Sequence, residues 1–182
     1  LVPIRQEGGL PLANGDRLMP DPILVGRTPE KLQALAERFG LARWTTDFDA
    51  ALADPADELF FECAYGGGRV ELARRALAAG KHIYLEKPAA ESLAEVLALR
   101  AEAERAGRKH AVMQDKIHLP GLVKLKTVLD LGTLGTLLSM RLEFGWWVFD
   151  GEVIPAQRTS WNYRRATGGG LVLDMFPHWR YV

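Results

Sequence analysis

Gly80-Lys81-His82-Ile83-Tyr84-Leu85-Glu86-Lys87-Pro88 is the stretch on which the fold turns. A glycine placed to stop a helix is followed by a short apolar run, and the run closes on Pro88, which supplies no ladder donor. Upstream, Arg69 to Ala79 has helical spacing; downstream, Glu91 to Ala106 repeats it and Gly107 closes it. A strand held between two such helices is one unit of a parallel sheet.

The same alternation extends both ways. Pro22-Ile23-Leu24-Val25-Gly26 reads as a buried strand, and Thr28-Pro29-Glu30 then supplies an N-cap, a proline at the first helical position and early negative charge. Leu32, Leu35, Ala36 and Phe39 follow at helical spacing up to Gly40. A helix from Phe48 to Ala53 stopped by Asp54-Pro55, a strand from Glu58 to Ala64 and a strand from His110 to Gln114 complete the series. This implies right-handed crossovers and a doubly wound parallel sheet covered on both faces. Residues 1–20, rich in Gly, Pro and turn residues such as Asn14-Gly15, read as an irregular lead-in.

After His118-Leu119-Pro120 the pattern changes. A helix from Leu122 to Leu131, a Gly132-x-x-Gly135 turn and a long strand from Leu137 to Phe149 are expected, then a loop rich in Trp, Arg and Pro from Asp150 to Thr167. The domain boundary is placed at residues 118/119.

The 182 residues carry zero formal net charge, 48% apolar residues and one cysteine. That balance points away from nucleic acid and from anionic membrane surfaces and toward a small neutral or weakly charged ligand. Cys63, inside Leu59-Phe60-Phe61-Glu62-Cys63-Ala64, is expected to be a buried structural thiol. No apolar run reaches about 18 residues and no signal-peptide pattern is found, so the chain reads as soluble and cytoplasmic; no metal-ligand set is expected.

Three side chains carry chemistry. Lys87, between a strand and Pro88, is biased to extended backbone, and at the carboxyl end of a parallel strand its ammonium would face the ligand crevice and stabilise a developing alkoxide. Asp174 and His178, four residues apart, share one face of a helix. Pro177 is tolerated only in a first turn, so that helix is expected to start near Asp174, its positive end keeping His178 neutral as a base must be. Gly168-Gly169-Gly170 precedes it. Together they form the set that hydride chemistry on an alcohol needs. Each also has a plain reading: a surface lysine, a capping aspartate, an exposed histidine.

Gly80 to Pro88, the segment Lys126 to Gly135, the Trp161 to Gly170 loop and Asp174-x-x-x-His178, in this order, resemble the glucose-fructose oxidoreductase, inositol dehydrogenase and rhizopine-catabolism family, written Gfo/Idh/MocA. The resemblance implies a partial Rossmann domain (1–118) followed by the start of an open-sheet α/β substrate and oligomerisation domain (119–182). It implies a homo-oligomeric NAD(P)-dependent oxidoreductase acting on a sugar, polyol or related hydroxy compound. A dinucleotide-binding regulator without turnover, and an epimerase or lyase using the cofactor transiently, are the alternatives. The Gly-x-Gly-x-x-Gly turn of such folds is not found here, so the chain is expected to be a piece of a parent of roughly 300 to 400 residues.

The implied catalytic residues are Lys87, Asp174 and His178. The implied cofactor contacts are Gly26, Arg27, Thr28, Ala64, Tyr65, Glu86, Lys87 and Pro88. Arg27, where an acidic residue would accept an NAD ribose, suits a 2′-phosphate and favours NADP over NAD; a solvated arginine before a helix is the plain alternative. Two departures stand out: Ala64-Tyr65-Gly66-Gly67-Gly68-Arg69 where many members have Thr-Pro and a downstream His, and Asp115-Lys116-Ile117-His118 where many have an Arg-Tyr-type pair. Lys116, His118, Trp161 and Arg164 are candidate substrate contacts, and Trp146, Trp147, Phe149 and Tyr163 candidate stacking platforms.

Overall fold

The computed structural model describes residues 1–64, 68–143, 164–165 and 169–179. The chain divides into two compact units: Leu1–Leu59 with Ala79–Lys81, and Phe60–Ala78 with His82–Val182.

The first unit opens with structure that the sequence does not announce. Helix α1 (Val2–Gln6) leads into an antiparallel pair, β1 (Leu10–Pro11) and β2 (Arg17–Leu18). The expected irregular lead-in is therefore partly ordered. Its order comes from non-periodic contacts: the Arg17 guanidinium donates to the carbonyls of Glu7, Gly8 and Gly9 at 2.9, 2.6 and 2.6 Å. Gly9 is required at the crossing, with φ +95° and any Cβ falling 2.9 Å from the Leu18 carbonyl oxygen.

Strand β3 (Ile23–Val25) continues into α2 (Pro29–Phe39), which has Thr28 at the N-cap, Pro29 in the first turn and Gly40 left-handed at φ 60°, as its cap residues predict. Leu32 and Ala36 are the buried residues of α2. Strand β4 (Arg43–Thr45) pairs in parallel with β3, Leu24 opposite Trp44. No apolar alternation marks Arg43-Trp44-Thr45, so β4 exists because the edge of β3 supplies its partner. Asp47 caps α3 (Phe48–Ala53) by accepting from the Ala50 amide at 2.9 Å.

In the second unit β5 (Leu59–Glu62, entering from the first), β6 (His82–Leu85) and β7 (His110–Val112) form a sheet with β6 in the centre, and β6 and β7 run parallel. Helix α4 (Arg69–Ala78) packs on β6 and on α5 (Leu93–Arg105). Ala73 and Ala76 are fully buried, and their small side chains allow that approach. Helix α5 starts at Leu93, not Glu91. Ser92 accepts from the Glu95 amide at 3.3 Å and its hydroxyl donates to the Glu95 carboxylate at 3.0 Å, an N-cap that sets the first turn. A single turn (Lys116–His118) and α6 (Pro120–Asp130) follow, and Gly132 and Gly135 turn the chain at φ 67° and 65°.

The strand expected from Leu137 to Phe149 is not formed at residues 137–143, which have no regular structure; residues 144–149 lie outside the described residues. Leu138, 93% exposed, has no pairing edge to hold it among the described residues. Cys63 is exposed and free, not buried, because β5 ends at Glu62 and leaves the thiol beyond the ladder. No helix among the described residues is long and apolar enough to cross a membrane.

Leu85, 2% exposed in the central strand, is the largest fully buried side chain described. Leu85→Ala is expected to cost about 2–5 kcal/mol of unfolding free energy, read from urea denaturation; a loss under 1 kcal/mol would show that this strand does not anchor the unit.

Candidate active site

The second unit places its chemistry where β6 ends. Glu86 and Lys87 leave the strand, the Glu86 amide still donating to the Glu62 carbonyl at 2.9 Å and the Lys87 amide to the Glu86 carboxylate at 2.6 Å. The Lys87–Pro88 peptide is cis. Arg69, at the start of α4, holds this turn: its guanidinium donates to the Glu62 carboxylate, to the Pro88 carbonyl, and to the Ala64 carbonyl at 3.1 Å. Glu62 is 4% exposed, so a buried carboxylate here requires that cation. The sequence reading passed over both residues. The signal was a glutamate inside an apolar strand run with an arginine seven residues later.

The last described helix, α7 (Leu171–Trp179), comes to the same place. It begins three residues earlier than Asp174, directly after Gly170 at φ +137°, and Pro177 lies inside it. The expected placement at a helix start holds for Asp174, in the first turn, and is corrected for His178, which sits in the last turn where no positive helix end acts on it. The apolar residues Leu171, Val172 and Leu173 extend the helix backward, with the Asp174 amide bonding to the Gly170 carbonyl at 2.9 Å.

The four-residue spacing of Asp174 and His178 does put both on this site. The Lys87 ammonium donates to the Asp174 carboxylate at 2.6 Å and to the Asp174 backbone carbonyl at 2.8 Å, with 13% and 20% of the two side chains exposed. His178 is 8% exposed. Its pKa is lowered from the ordinary histidine value, first by burial and then by the Lys87 charge, with Lys116 adding and Asp115 and Asp174 opposing. The imidazole is thus neutral at pH 7 for a different reason from the one expected. The carboxylate beside its Nδ1 is that of Asp115, at 3.2 Å.

The remaining candidates are dispersed. Lys116 donates to Asp115 at 2.7 Å, and His118 is exposed. Arg164 is exposed, and its carbonyl accepts from the Gly169 amide at 3.0 Å. Ala64 is exposed and held by Arg69. Tyr65, Trp146, Trp147, Phe149, Trp161 and Tyr163 lie outside the described residues. In the first unit, Gly26 follows β3 under Leu32, whose Cδ2 would be 3.1 Å from a Cβ there. Arg27 and Thr28 are exposed, and the Thr28 side chain makes no capping bond. Cys63 is unsuited to nucleophilic work: partial desolvation and the charges of Glu62 and Glu86 push its thiol up, so it stays protonated.

A part-buried ammonium–carboxylate pair beside a neutral imidazole, at the carboxyl end of a central strand, suits alcohol–carbonyl chemistry. The family model for the oxidoreductase family with an NAD-binding Rossmann fold matches residues 17–114, and the GFO/IDH/MocA C-terminal domain matches 122–182. The chain belongs to the GFO/IDH/MocA oxidoreductase family. Its fold is Rossmann-type α/β, as the strand–helix alternation implies. It is 46% identical over all 182 residues to D-xylose dehydrogenase of Paenarthrobacter nicotinovorans, covering 47% of that protein. It is 27% identical to levoglucosan dehydrogenase of Pseudarthrobacter phenanthrenivorans over 86% of the chain and 40% of that relative. Solved structures agree. Levoglucosan dehydrogenase in complex with NADH and levoglucosan matches at TM-score 0.74 and 26% identity, over 89% of this chain and 43% of that one. An NAD-binding protein from Listeria innocua matches at 0.72 and 26%, over 90% and 46%. The chain thus spans less than half the length of these relatives.

Because the folded-state pKa of His178 is depressed, the unfolded chain binds the extra proton first, and stability is lost as pH falls from about 6.5 through the lower folded value. An NMR titration is expected to place the His178 midpoint below 6.5, and His178→Gln to remove that part of the acid loss; a midpoint at or above 6.5 would contradict the burial argument.

Proposed function

We propose that the protein to which this chain belongs is an NAD(P)-dependent dehydrogenase that moves a hydride between a hydroxyl-bearing carbon of a sugar or polyol and nicotinamide. The observation that carries this reading is the Lys87–Asp174 pair set beside buried, neutral His178. The names of the relatives, D-xylose and levoglucosan dehydrogenase, support the substrate class.

The side chains present fit a dinucleotide. Arg27 is exposed at the carboxyl end of β3 with no ion pair among the described residues, a free cation for an anionic group. In the second unit the Gln114 side-chain oxygen is buried beyond β7 with no hydrogen-bond partner among the described residues, an acceptor that a ligand amide would satisfy. When bound, nicotinamide supplies the hydride acceptor or donor. Gly26, Arg27 and Thr28 would hold the adenosine side, with the Arg27 fork on a 2′-phosphate, so NADP is favoured over NAD. Ala64, Tyr65, Glu86, Lys87 and Pro88 would face the other half.

The protein residues divide the remaining work. His178 accepts the hydroxyl proton. Lys87 donates a hydrogen bond to the same oxygen and stabilises its growing negative charge. Asp174 holds the Lys87 ammonium at the end of β6. Lys116, His118, Trp161 and Arg164 are proposed contacts for substrate hydroxyls. Residues 1–118 are assigned to cofactor binding and 119 onward to the substrate and homo-oligomer domain of a cytoplasmic enzyme.

Turnover with NAD or NADP and a panel of sugars and polyols, followed by reduced-nicotinamide absorbance, tests the reading. Lys87→Met and His178→Ala are each expected to lower kcat by about 10²-fold or more while dinucleotide binding persists; an active double mutant would end the proposal. Arg27→Asp is expected to reverse the cofactor preference, and an unchanged ratio of NADP to NAD efficiency would refute that assignment.

A further inference from the structure

Asp174 is four residues from His178 on the same helix, yet its carboxylate is taken by Lys87. The imidazole has a different carboxylate neighbour. Asp115 lies at the start of the Lys116–His118 turn, just beyond β7. Its Oδ1 is 3.2 Å from His178 Nδ1, while its Oδ2 accepts from the Lys116 ammonium at 2.7 Å. Nδ1 is buried and off-line for a hydrogen bond to Oδ1, so it has no bonded partner among the described residues.

We propose that Asp115 is the positioning residue for His178: it fixes the imidazole as the Nδ1–H tautomer and leaves the Nε2 lone pair facing substrate. The argument is one of lone pairs. Neutral imidazole has one N–H and one bare nitrogen. A bare Nδ1 would set its lone pair against a carboxylate oxygen at 3.2 Å, which is repulsive. With the proton on Nδ1 the same contact is attractive, and a small ring rotation completes the bond. Lys116 holds the other carboxylate oxygen and so aims Oδ1 at the ring. Four charged groups face His178: Lys87, Asp174, Asp115 and Lys116, and the carboxylates raise its proton affinity while the two lysines lower it.

The proposal rests on the dehydrogenase reading only for what Nε2 does, and its test separates the two. Nitrogen-15 NMR of histidine-labelled protein is expected to show His178 as the Nδ1–H tautomer. Asp115→Ala should mix the tautomers and lower the titration midpoint, whereas Lys116→Met should raise the midpoint and keep the tautomer. In turnover, Asp115→Ala should lower kcat by about 10²-fold, the lower end of what a positioned base contributes, with KM changed far less. An unchanged tautomer and midpoint in Asp115→Ala overturns the proposal whether or not hydride transfer occurs. A changed tautomer in a protein that reduces no cofactor with any substrate supports it and overturns the dehydrogenase reading instead.

Discussion

Lys87 and Asp174 stand 87 positions apart, and their contact is what brings the end of the central strand β6 together with helix α7. An ammonium left without a partner in a partly desolvated site is costly. An aspartate left unpaired would face the same penalty. Each side chain therefore requires the other, and the double contact of the ammonium with the carboxylate and backbone carbonyl of Asp174 settles which turn of α7 faces the strand. Such pairs contribute little net stability once desolvation is counted, while removing one partner is costly. The pair acts as a device of placement more than of stability.

His178 depends on that placement. Four residues after Asp174, it is carried under the same cover, where burial and the lysine charge keep it neutral. A neutral imidazole and a fixed cation thus lie together without a helix dipole. The supporting layer is equally polar: Arg69 ties the buried Glu62, Ala64 and the turn at Pro88 into one hydrogen-bonded corner, so the backbone that presents Lys87 is held from both sides.

Much of this was legible in the chain itself. Gly40, Gly80 and Gly107 stop helices at left-handed positions, Thr28-Pro29 starts one, and apolar spacing places β3, β5, β6 and α2 to α5. Lys87, Asp174 and His178 were visible as residue types at fixed spacing, and the N-cap signature Ser92-x-x-Glu95 was readable as well. What escaped had no local code. Strand β4 borrows its edge from β3. The β1–β2 pair is stapled by one arginine to three carbonyls. The run at 137–143 has strand-forming residues but no ladder. Cys63 is exposed because the strand ends two residues before its apolar run does.

The sequence by itself determined the strand–helix alternation, the family and the identity of Lys87, Asp174 and His178, because periodicity, caps and motif spacing are properties of neighbouring residues. Tertiary structure alone decided which carboxylate lies beside the Lys87 ammonium and which beside the His178 ring. Asp174 is nearer to His178 in sequence, but Lys87 claims it, and Asp115 takes the place beside the ring. Charge pairing is a competition in space, settled by burial and distance after the chain has closed, and chain neighbours have no privilege in it.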